Sequence, residues 1–293
     1  MKRVATIKQL RQQVASWRAA GERIALVPTM GNLHAGHLEL VKQAQLQAEH
    51  VIVSIFVNPM QFGAGEDFGG YPRTLEQDAT QLEAIKTDLL FTPSVQEVYP
   101  YGQEEQTVVV VPGLSDILCG ASRPGHFAGV ATVVCKLFNM VQADLALFGT
   151  KDFQQLLVIR RMAEDLCIPA EIIGIPTVRE ADGLARSSRN GYLTPEERSR
   201  APALYRILSE TAAAIEGGAS DYSALEQSAG EKLAAAGFGL DYYSIRKAAD
   251  LSEPESDERD LVILAAAKLG QARLIDNLRV MRGRCSASLL ASE

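Results

Sequence analysis

Arg23-Ile24-Ala25-Leu26-Val27-Pro28-Thr29-Met30-Gly31-Asn32-Leu33-His34-Ala35-Gly36-His37 is the stretch on which the fold turns. Residues 23–27 form an apolar run that reads as a strand. Two glycines follow, Gly31 and Gly36, and residues 38–49 then carry Leu38, Val41, Leu46 and Ala48 as apolar positions of a helix. Residues 51–57 are a continuous run rich in β-branched side chains, the mark of a strand buried on both faces. Strand, glycine-bearing turn, helix and buried strand together indicate a parallel sheet.

The alternation continues to about residue 180. Helices are expected over 75–86, 128–141 and 153–166, and strands over 88–92, 108–111, 145–148 and 172–175. This predicts a doubly wound α/β domain, a parallel sheet with helices on both faces, spanning residues 1–178. Beyond Thr177 the texture changes. Residues 179–190 are polar, carry Gly183 and read as a loop or linker. Thr194-Pro195-Glu196-Glu197 then marks a helix start, with a Thr cap, Pro in the first turn and Glu three residues after the cap. Ala-rich helices are expected over 195–217 and 222–236, and apolar runs cover 240–245, 261–266 and 272–276. These predict a smaller C-terminal α+β domain over 179–293. The acidic run at 253–260 reads as a solvated loop.

At 293 residues the chain has room for about two domains of ~150 residues. Lys plus Arg number 29 against 36 Asp plus Glu, a net charge of −7, which argues against a protein that coats nucleic acid. The longest apolar runs, 51–57 and 261–267, fall far short of the ~20 residues of a membrane span. Lys2, Arg3, Lys8 and Arg11 interrupt the N-terminus, so no secretory signal is expected. Cys119, Cys135, Cys167 and Cys285 lie far apart and read as reduced, mostly buried thiols of a cytoplasmic protein. No Walker A or HExxH motif occurs. Gly63, Gly65 and Gly69 nearly spell a dinucleotide fingerprint, but Phe68 stands at the third glycine and no strand leads into it. Gly120-Ala121-Ser122-Arg123-Pro124 fails as a nucleophile elbow at its last position.

Two of the four histidines, His34 and His37, sit between the first strong strand and the first strong helix. That is the carboxyl edge of a parallel sheet, where open α/β folds place ligands. A helix N-terminus there offers unpaired N–H groups to an anion, and Gly31 and Gly36 allow close backbone approach. Three residues apart, the imidazoles can share one face and point at one phosphate. The plain alternative is a pair of capping or buried histidines.

His34-Ala35-Gly36-His37 resembles the signature of the HIGH-type nucleotidyltransferases, which implies a Rossmann-like fold with ATP bound at the histidines. Pro28 to His34, Ser54-Ile55-Phe56-Val57-Asn58-Pro59-Met60-Gln61-Phe62 and Tyr71-Pro72-Arg73-Thr74 narrow the likeness. So do Ser122-Arg123-Pro124-Gly125-His126-Phe127, Phe148-Gly149-Thr150-Lys151-Asp152-Phe153-Gln154-Gln155, Ser187-Ser188-Arg189-Asn190-Gly191-Tyr192-Leu193 and Ala272-Arg273-Leu274-Ile275-Asp276-Asn277. In order and spacing these blocks resemble the pantoate–β-alanine ligase (pantothenate synthetase) family over nearly the whole chain.

The resemblance implies that pantoate's carboxylate attacks the α-phosphate of ATP to give pantoyl adenylate, and that β-alanine's amine then displaces AMP. Both nucleophiles come from substrates, so the enzyme supplies positioning and cationic or N–H donors. By resemblance His37, His34 and Lys151 are catalytic, with His37 the proton donor or transition-state stabiliser. ATP would meet Met30, Gly31, Asn32, Leu33, His34, Ala35, Gly36 and His37, the loop Gly149, Thr150, Lys151 and Asp152, and Val178 through its backbone. The triphosphate would also meet Arg186, Ser187, Ser188 and Arg189. Family members often carry an apolar residue where this chain has Arg186, leaving that position open between an extra phosphate contact and exposure. Gln61 and Gln155 match the pantoate-binding glutamines, with Gln61 also meeting β-alanine. Met30 and Phe62 could cover the methyl groups. Asn58 and Arg123 could serve pantoate's polar end or β-alanine, or merely shape loops. His126 stands between a structural and a site role, and His50 reads as structural. Mg²⁺ is expected with ATP, held largely by phosphate oxygens and water, with no protein ligand assigned.

The resemblance further implies a homodimer. The C-terminal domain, joined by residues 179–190, reads as a lid that excludes water from the acyl adenylate, because hydrolysis would compete with amide formation. Neither a nucleic acid nor a membrane is expected as a partner. Two other readings remain open to the motifs: another adenylyltransferase of the superfamily, or a non-catalytic nucleotide-binding protein.

Overall fold

The computed structural model describes residues 1–63, 68–255 and 257–282. The chain divides into two compact units, one of residues 1–178 with 186–188, the other of 179–185 with 189–293. The first unit runs β1 (Lys2–Val4), α1 (Ile7–Ala19), β2 (Ile24–Thr29), α2 (Ala35–Gln45), β3 (His50–Ile55), α3 (Leu75–Ala84), β4 (Leu89–Phe91), α4 (Val95–Val98), α5 (Cys119–Ser122), α6 (His126–Val141), β5 (Leu145–Gly149), α7 (Phe153–Asp165) and β6 (Glu171–Ile175). Single 3₁₀ turns at Pro59–Gln61 and Thr150–Asp152 follow β3 and β5.

All six strands pair in parallel in the order β1-β4-β3-β2-β5-β6. Ala25, Val27, Val51, Val53, Leu90, Leu145 and Leu147 face Leu40, Val41 and Ala44 of α2 and Ala79 and Leu82 of α3 in one buried cluster. The alternating residues Ile24, Leu26, Ile52 and Leu89 are just as buried on the other face, where α6 meets β2 and α7 meets β5 and β6. This is the expected doubly wound sheet. From β2 the chain winds outward through β3 and β4, whereas β5 and β6 extend the other way. The winding therefore reverses between β2 and β5, where Ala25 and Leu26 pair with Leu145 and Ala146. At such a switch point the loops leaving the two strands splay apart and open a crevice.

The second unit holds α8 (Pro195–Arg200), α9 (Ala203–Glu216), α10 (Tyr222–Ala235) and an antiparallel sheet of β7 (Gly239–Lys247), β8 (Asp260–Leu269) and β9 (Ala272–Met281). Leu204, Ile207, Leu208, Ile215 and Leu233 of its helices pack on Ile245, Leu261, Ile263, Ala265 and Ala267 of its strands. It is the α+β arrangement expected from sequence.

Several expectations change. Residues 108–111 form no strand and join no ladder among the described residues. Val108 and Val110 are 48% and 53% exposed, and the Val109 N–H donates to Thr132 Oγ1 at 2.9 Å. β-Branched side chains favour extended backbone, yet a strand also needs an edge to pair with. The helix expected over 195–217 is broken between Arg200 and Ala203, because Pro202 has no N–H for the helical ladder. Asp260 opens β8 rather than closing the acidic loop. Cys167 is exposed at φ +51°, while Cys119 is buried. Gly65 and Cys285 lie outside the described residues. Strand β1 and helix α1 precede everything the sequence pattern revealed, the helix closed by a Thr6–Gln9 capping box.

Gly129 lets α6 pass against the turn at Pro59–Gln61: a Cβ there would lie 2.3 Å from the Met60 carbonyl oxygen. Gly129→Ala should therefore cost about 1–3 kcal/mol through overpacking, read as a lower calorimetric midpoint. An unchanged midpoint would show that the turn can withdraw freely.

Candidate active site

Met30 to His37 leave the carboxyl end of β2 and run into α2, and His34 is the N-cap of that helix. An imidazole caps where a short oxygen-bearing side chain is usual. His34 Nδ1 accepts from the Gly36 N–H at 3.1 Å, and His37 Nδ1 accepts from the His34 N–H at 3.3 Å. The two rings lie 4.1 Å apart, centroid to centroid, tilted by 31°. Gly36 is needed for this: a Cβ there would stand 2.9 Å from His34 Cε1. A neutral imidazole whose Nδ1 accepts must carry its proton on Nε2. Both rings therefore present an Nε2–H donor.

The turn before the helix is held from β4's side of the sheet. Asp78, in the first turn of α3, is 1% exposed; its Oδ2 accepts from the Asn32 N–H at 2.9 Å and its Oδ1 from the Leu33 N–H at 2.8 Å. Thr74 Oγ1 donates to the same carboxylate at 3.2 Å. Asn32 is thereby kept at φ +51°, a conformation seldom taken by residues other than glycine. Sequence reasoning missed Asp78, since an acid in a first helical turn is commonplace and nothing local says that it is buried.

Gly149, Thr150, Lys151 and Asp152 leave β5 on the other side of the switch point. Lys151 Nζ lies 4.0 Å from Asp152 Oδ2. Val178 and Arg186 are joined by a bond from the Arg186 N–H to the Val178 carbonyl at 2.9 Å, and Ser187 and Ser188 follow in the same unit. Arg189 is the first residue of the longer segment of the second unit. Desolvation, then the charges of Lys151 and Arg186, lower the His34 pKa to about 4, against a smaller opposing effect of Asp152. Desolvation, then His34 and Lys151, lower that of His37 to about 3. Arg186 thus stands where its charge reaches His34. The histidines are neutral at pH 7 and lie in a positive field suited to an anion.

Gln61 ends the turn after β3 and is buried, its Nε2 donating to Met30 Sδ at 2.9 Å and its Oε1 accepting from Asn58 Nδ2 at 3.2 Å. Asn58 Oδ1 accepts from the Tyr99 hydroxyl at 2.7 Å, and burial raises the pKa of that hydroxyl. His126 Nδ1 lies 2.8 Å from the Gln61 carbonyl, and its Nε2 lies 3.1 Å from Arg123 Nη1. A carbonyl only accepts, so His126 carries its proton on Nδ1 and takes a bond from Arg123. Asn58, Arg123 and His126 hold Gln61 in place. Gln155 is half-buried in the first turn of α7. Its neighbour Gln154 instead bonds Cys119 and the carbonyls of Leu114 and Ile117, fixing the loop before α5. His50 lies at the opposite, amino end of the sheet, stacked on Trp17 at 4.1 Å with Nε2 2.8 Å from Glu22.

The family model for pantoate-beta-alanine ligase matches residues 2–279. A pantothenate synthetase of Shewanella oneidensis is 59% identical over 278 residues, covering 95% of this chain and 99% of its own. One of Pseudomonas savastanoi pv. phaseolicola is 58% identical over 282 residues, covering 96% and 100%. Among solved structures, pantothenate synthetase from Thermus thermophilus superposes with a TM-score of 0.87 at 46% identity, over 95% of this chain and 99% of that one. Pantoate-beta-alanine ligase from Francisella tularensis, complexed with beta-gamma ATP and beta-alanine, gives 0.81 at 35% identity, over 95% and 97%.

With both folded-state pKa values below the ordinary 6.5, the unfolded chain takes up protons first as pH falls. This contribution to stability is full above about 6.5 and is lost on acidification towards 4 and then 3. Nitrogen-resolved NMR of the ligand-free protein at about pH 6, below the ordinary histidine pKa, should find both rings neutral and protonated at Nε2. An imidazolium at either position would contradict the arrangement.

Proposed function

The chain belongs to the pantoate–β-alanine ligase family, and from that membership we infer that it condenses pantoate with β-alanine at the expense of ATP, by way of a pantoyl adenylate. The observation that carries the reading at atomic level is the pair of Nε2–H donors at the mouth of α2, within the field of Lys151 and Arg186.

In the first step the pantoate carboxylate attacks the α-phosphate, and the bond to pyrophosphate breaks as charge spreads over the phosphate oxygens. His34 and His37 meet that charge as hydrogen-bond donors; being neutral, they give a bond rather than a proton. The N-terminus of α2, whose first N–H groups close on the histidines themselves, adds its dipole. Lys151 and Arg186 supply positive charge, and Ser187, Ser188 and Arg189 receive the β- and γ-phosphates as pyrophosphate departs. Asp152 accepts from ribose hydroxyls and the Val178 backbone meets adenine. Gln61 and Gln155 hold pantoate's hydroxyls, each amide able to donate and accept. In the second step β-alanine's amine, near Gln61, attacks the acyl carbon and AMP leaves with the electron pair of the broken anhydride bond.

Mg²⁺ belongs to this proposal as a companion of the triphosphate. Among the described residues no group of three or more His, Cys, Asp or Glu could hold a metal ion, and the surrounding Lys151 and Arg186 suit a metal carried on phosphate oxygens and water. The lid role of residues 179–293 rests on chemistry: hydrolysis of the adenylate competes with amide formation, so water must be kept out. Among the described residues no helix is long and apolar enough to cross a membrane, and a cytoplasmic location suits an enzyme drawing on ATP. A homodimer is proposed with the exposed, unpaired Val108 and Val110 as part of its contact.

Exchange of labelled pyrophosphate into ATP that needs pantoate but not β-alanine tests the central reading, and its absence in folded protein would sink it. His37→Ala should lower that exchange by about 10²–10³ while the fold persists; wild-type exchange would remove His37 from the chemistry. Sedimentation should find dimers for the natural chain and monomers for Val108→Lys with Val110→Lys. Dimers in the double variant would place the contact elsewhere.

A further inference from the structure

The segment Ala272 to Asn277 has no part in the chemistry above, yet it contains a buried acid. Asp276, in the middle of β9 opposite Ala265, is 3% exposed. Its Oδ2 accepts from Arg179 Nη1 at 2.6 Å and its Oδ1 from Arg179 Nη2 at 2.9 Å. The guanidinium also donates to the carbonyls of Gly183 at 3.1 Å and Asn277 at 3.4 Å, and lies 3.7 Å over the centre of the Tyr205 ring. Gly183, at φ +91°, passes against that ring so tightly that a Cβ would meet Tyr205 Cδ1 at 2.5 Å. One planar cation thus ties a turn, a helix and a strand together. A two-pronged pair of this kind fixes direction as well as distance.

What the pair grips is a hairpin. Arg179 bridges to Ala185 in antiparallel fashion, and the Glu180 N–H donates to the Leu184 carbonyl at 2.8 Å. The chain enters this hairpin from Val178 and leaves it into Arg186, and those two residues share the bond already described. Val178 and Arg186 to Arg189 are the residues assigned above to adenine and the phosphates. The grip therefore lies one peptide from the nucleotide-binding segment at both ends. An apolar side chain could fasten a hairpin at a smaller cost in desolvation, but it would not set a single orientation.

We propose that Arg179 and Asp276 are positioning residues for ATP, holding the hairpin so that Arg186 to Arg189 meet the triphosphate in one register; the proposal rests on the functional reading above. Asp276→Asn keeps the volume and removes the charge. In the pantoate-dependent exchange assay it should raise the KM for ATP about 10- to 100-fold and leave the KM for pantoate unchanged. Arg189→Ala added to it should cost far less than Arg189→Ala alone costs in the natural chain. Arg179→Lys, which keeps the charge and loses the fork, and Tyr205→Leu, which keeps the ion pair, should shift the same constant in the same direction. An unchanged KM for ATP in a folded variant, or equal losses for both substrates, would overturn the proposal. Should the natural chain show no exchange, the functional reading fails instead, and calorimetric ATP binding by the natural chain and Asp276→Asn still decides the role of the pair: weaker binding supports it and equal binding overturns it.

Discussion

Two backbone N–H groups at the start of α2 determine what its histidines can do. By bonding to Nδ1 of each ring, they spend the nitrogen nearest the main chain on closing the helix and leave the outer nitrogen protonated. Capping and chemistry, which look like rival uses of a histidine in sequence, use opposite edges of the same ring. An Asn or Ser could close the helix as well, but neither would extend a second donor beyond the cap. Desolvation by the surrounding protein, together with Lys151 at both rings and Arg186 at His34, keeps the rings uncharged, so the donors do not depend on small changes in pH around neutrality.

The remaining architecture makes that arrangement rigid. Reversal of winding between β2 and β5 brings the His34 loop and the Lys151 loop out of neighbouring strands. Asp78 fastens the turn ahead of α2 from the opposite flank, and its placement on the first turn of α3 makes the spacing of α3 a condition for the orientation of the histidines. Gln61 is held in the same manner, with Asn58 bonded to its side chain and Arg123 and His126 to its carbonyl.

Much of this was legible in sequence because burial on both faces leaves uninterrupted apolar runs. Residues 24–27 and 51–53 are such runs within β2 and β3, and so the sheet and the loops at its carboxyl edge could be read directly. Short edge strands leave no such trace: β1 has three residues, two of them charged, and owes its existence to β4. The run at 108–111 errs in the opposite sense, with β-branched composition and no partner edge among the described residues. Among site residues, those that would touch substrate fall in quotable motifs; Asp78 falls in none, and Asp276, though inside the block at 272–277, finds its partner more than ninety positions away, as Asp78 does more than forty away. No local pattern encodes such pairings.

The stacking of Trp17 on His50 has a practical corollary. This is the only tryptophan of the chain, and it sits at the amino end of the sheet while the histidines of α2 sit at the carboxyl end. Its emission therefore reports melting of the α1 side of the molecule and is blind to occupancy of the crevice. Optical titration of nucleotide would need a fluorophore installed near Gln155, or a labelled ligand.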